Sequence, residues 1–172
     1  MTNRTPLEIE IQPLDKTVDR QSFDCGVSAL NDYFQKYALQ NHTKNISKTF
    51  VATTLDRQKA VAGYYTVSMA EIARVKMPET GFKHLPKYPV PVMRIGRLAV
   101  DVRFRKKGIG ERILLDVLHR AYFLAGEVGL YAVVVDAKNS EAVSFYHKYG
   151  FMPLAAQPRT LFLPVQTLQQ LF

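Results

Sequence analysis

The residues best suited to do chemistry lie in one stretch, Arg94-Ile-Gly-Arg-Leu-Ala-Val-Asp-Val-Arg-Phe-Arg-Lys-Lys-Gly-Ile-Gly-Glu-Arg112. An apolar strand feeds a basic loop with two glycines, and a helix begins at that loop. The first amides of a helix lack carbonyl partners and carry the positive end of its dipole, so such a junction binds phosphate readily. Gly108 and Gly110 would let the backbone approach an anion with no Cβ in the way, and Arg105, Lys106 and Lys107 add positive charge. The segment lacks the Gly-Lys-Ser/Thr ending of a nucleotide-binding P-loop and the third glycine of a dinucleotide fingerprint. By local pattern alone, a basic surface turn in which the glycines only ease the bend is the competing reading.

A second set of reactive groups follows at Asn139, Phe145-Tyr146 and Tyr149-Gly150-Phe151. A phenol with a pKa of about 10 keeps its proton at neutral pH and can act as a proton donor. The strand Val92 to Val100 holds Arg94 and Arg97 but no carboxylate, so it offers no general base. An acceptor that is already partly neutral fits this absence. An α-amine, with a pKa of about 7.7–8.0, qualifies, and a lysine side chain near 10.4 does not. Seven Lys or Arg against Asp101 and Glu111 between positions 94 and 112 suit a polyanionic acceptor and disfavour a polycationic one.

The remaining candidates are negative. Cys25 is the only cysteine, so no intrachain disulfide and no cysteine-rich metal site can form, and it reads as a small buried hydrophobe. His42, His84, His119 and His147 are scattered without metal spacing, and no metal is expected. His119 and His147 are expected to face solvent.

The elements that must hold these groups are legible in the hydrophobic pattern. The chain has 172 residues, 47% hydrophobic and 22% charged, which suits one substantial core. The whole of 1–172 is expected to be a single mixed α/β domain. Its net charge of +8 favours anionic partners. Residues 1–6 show no apolar signal-peptide core, and no apolar run approaches the roughly 20 residues of a membrane span. A cytoplasmic protein without a membrane partner is expected.

Leu7, Ile9 and Ile11 alternate with polar residues as a first strand ended by Pro13. Val27, Leu30, Phe34 and Tyr37 predict a helix, with Asp24 available near its start. Thr49–Leu55 and Ala60–Ala70 predict a hairpin around the turn 56–59. From 71 to 91, Pro78, Pro86, Pro89 and Pro91 mark a long connection. The second half reads as strand Val92–Val100, helix Gly108–Ala125 with Ile109, Ile113, Val117, Ala121 and Leu124 inward, and strand Leu130–Asp136. Helix Asn139–Tyr149 capped by Gly150, strands Phe151–Leu154 and Arg159–Leu163, and a last turn from Val165 to Leu171 complete it.

Arg105-x-x-Gly108-x-Gly110, between a Leu-Ala-Val-Asp strand and an amphipathic helix, resembles the acetyl-CoA signature of the GNAT N-acetyltransferase superfamily. The aromatic motifs at 145–151 fall where that superfamily places its final strand–helix unit, and the likeness covers most of 48–163. Phe23-Asp-Cys-Gly, Gly63-Tyr-Tyr-Thr-Val-Ser, Arg97-Leu-Ala-Val-Asp and Phe162-Leu-Pro-Val are similar to the GNAT toxins of bacterial toxin–antitoxin systems.

The resemblance implies a GNAT fold, a mixed central α/β sheet with splayed strands and flanking helices. It also implies acetyl-CoA as co-substrate, acetylation of the amino acid on charged tRNA with arrest of translation, a ribbon-helix-helix antitoxin and a homodimer. Carried onto this chain, Leu98, Ala99 and Val100 would offer backbone groups to the pantetheine arm. Backbone amides from Lys106 through Lys107, Gly108 and Ile109 to Gly110, with Arg105, would hold the pyrophosphate. Asn139 either contacts the cofactor arm or only caps the helix after it. Tyr146 would protonate the leaving thiolate, with Tyr149 as the alternative, and Arg94 and Arg97 would meet the tRNA. Acetylation of a protein N-terminus or a small amine, and a DNA-associated regulator with a vestigial cleft, are the rival readings.

Overall fold

The computed structural model describes residues 6–78, 81–82 and 84–172. The signal-peptide reading therefore falls largely outside the described residues, as do positions 79, 80 and 83 of the long connection. The elements, in order, are β1 (Ile9–Pro13), α1 (Ser28–Asp32), a π-helical turn (Tyr33–Tyr37), α2 (Ala38–Thr43), β2 (Lys48–Thr54), β3 (Val61–Ile72), a 3-10 turn (Arg74–Lys76) and β4 (Val90–Val100). A second 3-10 turn (Val102–Phe104), α3 (Ile109–Ala125), β5 (Ala132–Asp136), α4 (Ser140–Lys148), β6 (Met152–Leu154), β7 (Gln157–Pro164) and α5 (Val165–Leu168) follow. The seven strands form one mixed sheet in the order β1-β2-β3-β4-β5-β7-β6. β4 and β5 pair in parallel, from Val92↔Ala132 to Ile95↔Val135, and β4 runs on to Val100 beyond the last of these pairs.

Two compact units share the chain, and β3, β4 and α3 each run through both. The first comprises the residues up to Val67 with Arg97–Asp116. Its core is aromatic: Phe34 stacks on Tyr64 at 4.4 Å, and Phe23 meets both edge-on at 5.0 and 5.3 Å. Such pairs contribute about 0.5–1.5 kcal/mol each beyond their buried area. The buried Tyr64 hydroxyl is satisfied by the Leu30 carbonyl at 2.7 Å. Cys25 lies in the same cluster as a small apolar side chain, as its surroundings in sequence suggest.

The helix expected from Val27 to Tyr37 departs from its pattern. Tyr33, Phe34 and Ala38 are buried, while Tyr37 is 50% exposed. The π turn adds one residue to a single turn, so the inward face shifts from 37 to 38. Asp24 does not cap α1, whose N-cap is Val27. Its carboxylate instead folds the preceding turn by accepting from the Gly26 amide and the Asn31 side chain.

The second unit comprises Ser68–Gly96 and Val117–Phe172. Val92, Ala132, Val134 and Phe162 from three strands form its centre, and Met77 and Leu85 from the 73–89 connection pack on them. The run Ala-Val-Val-Val of β5 is buried throughout, as expected for a parallel strand covered on both faces. Gly150, at φ +95°, closes α4 as expected, its amide bonding the His147 carbonyl. His119 and His147 are exposed.

Candidate active site

The loop expected to cradle phosphate is built as a turn followed by a helix. Two left-handed positions, Lys106 (φ +59°) and Gly108 (φ +76°), turn the chain into α3. A Cβ at Gly108 would meet nothing within 4 Å, so the backbone angle calls for glycine there, and the space above it is open to a ligand. The Gly108 carbonyl accepts from the Arg112 amide and starts the helix. Gly108 has no side chain with which to cap the amides of 109–111, which remain presented at the positive end of the dipole. Lys106 and Lys107 are exposed beside them, whereas the Ile109 side chain is buried and can contribute only its amide. This arrangement fits a diphosphate.

The strand entering this loop is clamped from below. Asp101, fully buried, accepts from the Arg103 amide and Nε at 2.9 Å, from Arg103 Nη2 at 3.0 Å and from the Asp24 amide at 3.0 Å. Burial alone would raise this carboxyl, but the bonds from Arg103 and Asp24 outweigh it and hold the carboxyl below its ordinary value. Arg105, expected to face phosphate, donates Nη2 to the Cys25 carbonyl at 2.7 Å. That contact uses the absence of a side chain at Gly26, where a Cβ would stand 2.9 Å from the same nitrogen. Asp101 and Arg105 thus tie the loop to the Phe23–Gly26 turn.

Leu98 and Val100 are half-buried and Ala99 is buried. The seating of Ala99 depends on Gly63, which sequence reasoning left unassigned as a site. An isolated glycine inside a strand is itself a signal of close approach. Asp101 carried a weaker signal, as the polar residue ending an apolar strand.

The two arginines expected to meet the acceptor are both engaged within the protein. Arg97 places its guanidinium carbon over the Tyr33 ring, 3.4 Å from its centre, a cation–π contact. Arg94 donates to Asp136 at 2.5 Å, and Asp136 accepts from the Thr160 hydroxyl at 2.7 Å. No local pattern could announce a carboxylate brought from β5, 42 residues away. The charge cluster read from sequence is correspondingly weaker as a phosphate surface than its count suggests.

In the second unit, Asn139 caps α4, its Oδ1 accepting from the Ala142 amide at 2.9 Å. The oxygen thus serves the helix cap, and Nδ2 is the group that could donate to a cofactor. Tyr146 is the buried aromatic of α4, at 6% exposure, edge-to-face with Phe145 and Phe151. Burial pushes its pKa up, so the hydroxyl keeps its proton and is available as a donor. Phe145 and Tyr149 are half-buried.

The family profile described as an acetyltransferase (GNAT) domain matches residues 24–160. The chain belongs to the GNAT acetyltransferase family. Among GNAT relatives, it is 30% identical to a protein named probable toxin TacT from Sinorhizobium fredii, over 99% of both chains. It is 34% identical to a tRNA-acetylating toxin from Mycobacterium tuberculosis, over 84% of this chain and 85% of that one. Solved structures with the same GNAT fold include AtaT complexed with acetyl-methionyl-tRNAfMet, with TM-score 0.89, 28% identity, and 96% of this chain and 99% of that one covered. AtaTR bound with AcCoA follows at TM-score 0.83 and 28% identity, covering 95% and 98%. A tyrosine-to-phenylalanine mutant of AtaT bound to the C-terminus of the antitoxin AtaR also has TM-score 0.83, at 26% identity, again covering 95% and 98%. Among the described residues there is no group of His, Cys, Asp or Glu placed to hold a metal, and no helix long and apolar enough to cross a membrane.

Proposed function

We propose that this protein is a cytoplasmic toxin that transfers acetyl from acetyl-CoA to the α-amine of aminoacyl-tRNA and so arrests translation. What supports the reading most is likeness along nearly the whole chain to proteins named as toxins of this kind, joined to a glycine-turned helix start suited to a diphosphate. The amides of 106–110, with Lys106 and Lys107, would hold the pyrophosphate, and the β4 backbone at Leu98–Val100 the pantetheine arm. Acetyl-CoA supplies an activated acetyl thioester when bound.

The work left to the chain is positioning and one hydrogen bond. A neutral α-amine needs no general base, and orientation of two bound reactants removes much of the barrier. Tyr146, kept protonated by burial, gives its proton to the sulfur as the C–S bond breaks, and the proton shed by the nitrogen as the C–N bond forms restores the phenol. The whole chain acts as one acetyltransferase domain, since the family match draws on both compact units. A ribbon-helix-helix antitoxin and a homodimer complete the proposal, the former in keeping with the antitoxin-bound AtaT structure.

Labelled acetyl-CoA offered with charged tRNA, deacylated tRNA, a peptide with a free N-terminus and a polyamine tests this. Label should enter charged tRNA alone and leave as an N-acetyl amino acid when mild base cleaves the ester. Transfer to the peptide or the polyamine instead overturns the substrate assignment.

A further inference from the structure

Parallel strands bind ligands beyond their carboxyl ends, and β4 and β5 are such a pair. Their register closes at Ile95↔Val135, where Arg94 and Asp136 project. Around these two, Glu71, Lys76, Gln157 and Thr160 line a cleft of about 260 Å³. Buried Ile72 and Leu154 also line it. Pockets for drug-sized molecules begin at about 300 Å³, so this one has room for a side chain rather than a nucleotide.

We propose that this cleft selects the amino acid on the tRNA, taking acceptors whose side chains are uncharged and form hydrogen bonds. The inference rests on the aminoacyl-tRNA reading above. The four ionised groups, Glu71, Lys76, Arg94 and Asp136, cancel in formal charge. Arg94 is already bonded to Asp136, and Asp136 to Thr160. Because the formal charges sum to zero, neither a phosphate nor a charged side chain meets a net counter-charge there. An aliphatic side chain would displace water from these polar groups and offer them no hydrogen bond, so the cleft disfavours it. A hydroxyl or carboxamide can replace that water bond for bond.

The test uses the full chain and one tRNA body acylated in turn with serine, glutamine, leucine and aspartate, with kcat/KM measured for each. Serine and glutamine should exceed leucine and aspartate by about tenfold or more. Gln157→Leu should narrow the glutamine-to-leucine ratio by a similar factor. Glu71→Gln, which leaves the cleft with a net positive charge, should raise aspartate relative to serine. Both positions are exposed, so folding is not at stake, and KM for acetyl-CoA should hold within about twofold. Acetylation of all four charged tRNAs with ratios that neither variant moves overturns the cleft assignment alone. Acetylation of none of the four by a protein that does acetylate bulk charged tRNA also overturns the cleft assignment alone, and acetylation of no charged tRNA at all overturns the tRNA function with it.

Discussion

A Cβ on Gly63 would stand 2.8 Å from the carbonyl oxygen of Ala99 and 2.5 Å from Cδ1 of Ile113. The strand edge that is to carry the pantetheine arm and the first turns of α3 are therefore seated against bare backbone. Placing alanine for glycine in a strand ordinarily gains a few tenths of a kcal/mol through reduced chain entropy. Here overpacking should reverse the sign, and Gly63→Ala should destabilise by about 1–3 kcal/mol. Urea unfolding reads this directly, and calorimetry should show weaker acetyl-CoA binding in the folded fraction. A stabilised variant would mean that the neighbours yield freely.

The phosphate cradle makes a separate prediction. Gly110→Asp places a carboxylate in the first turn of α3, where acidic residues suit the helix dipole, so circular dichroism should be unchanged. The same charge repels a diphosphate, and acetyl-CoA affinity should fall by about tenfold or more. Undiminished affinity would remove these amides from the cofactor site.

Tyr146→Phe keeps the ring among Phe145 and Phe151 and removes only the hydroxyl. Turnover should drop by roughly 10²–10⁴ while acetyl-CoA binding changes little. Tyr149→Phe should retain most activity. The reverse outcome would assign the proton to Tyr149, and full activity in both would leave positioning alone as the source of the rate.

Asp101 sets a pH dependence of stability. Its carboxyl lies lower in the folded protein than in the unfolded chain, so its contribution is fully present above the unfolded value of about 4 and is lost as pH falls through the folded one. Asp101→Asn should therefore lower stability at pH 7 by about 1.5–3 kcal/mol, the worth of hydrogen bonds to a charged group. It should also flatten the loss of stability on acidification. A variant with an unaltered acid limb would show that other carboxylates control it.

The order of strands and helices was legible because each element carries its own period. Alternation marks β1, an unbroken Val run marks β5, and the Ile109–Val117 stripe marks α3. The glycine-bearing helix start was legible too, since φ and capping are settled within a few residues. The engagement of the charged groups was not. Arg94 meets Asp136, Arg97 covers Tyr33, Arg105 reaches the Cys25 carbonyl, and Asp101 holds the Asp24 amide, all through pairings of residues 42 to 80 apart in the chain. The shift of the inward face from Tyr37 to Ala38 likewise depended on a single π turn that no periodicity encodes. Local conformation follows from short-range sterics and hydrogen bonding, which a sequence displays in order. Which cation remains free for a ligand is decided by partners that only the folded chain brings within reach.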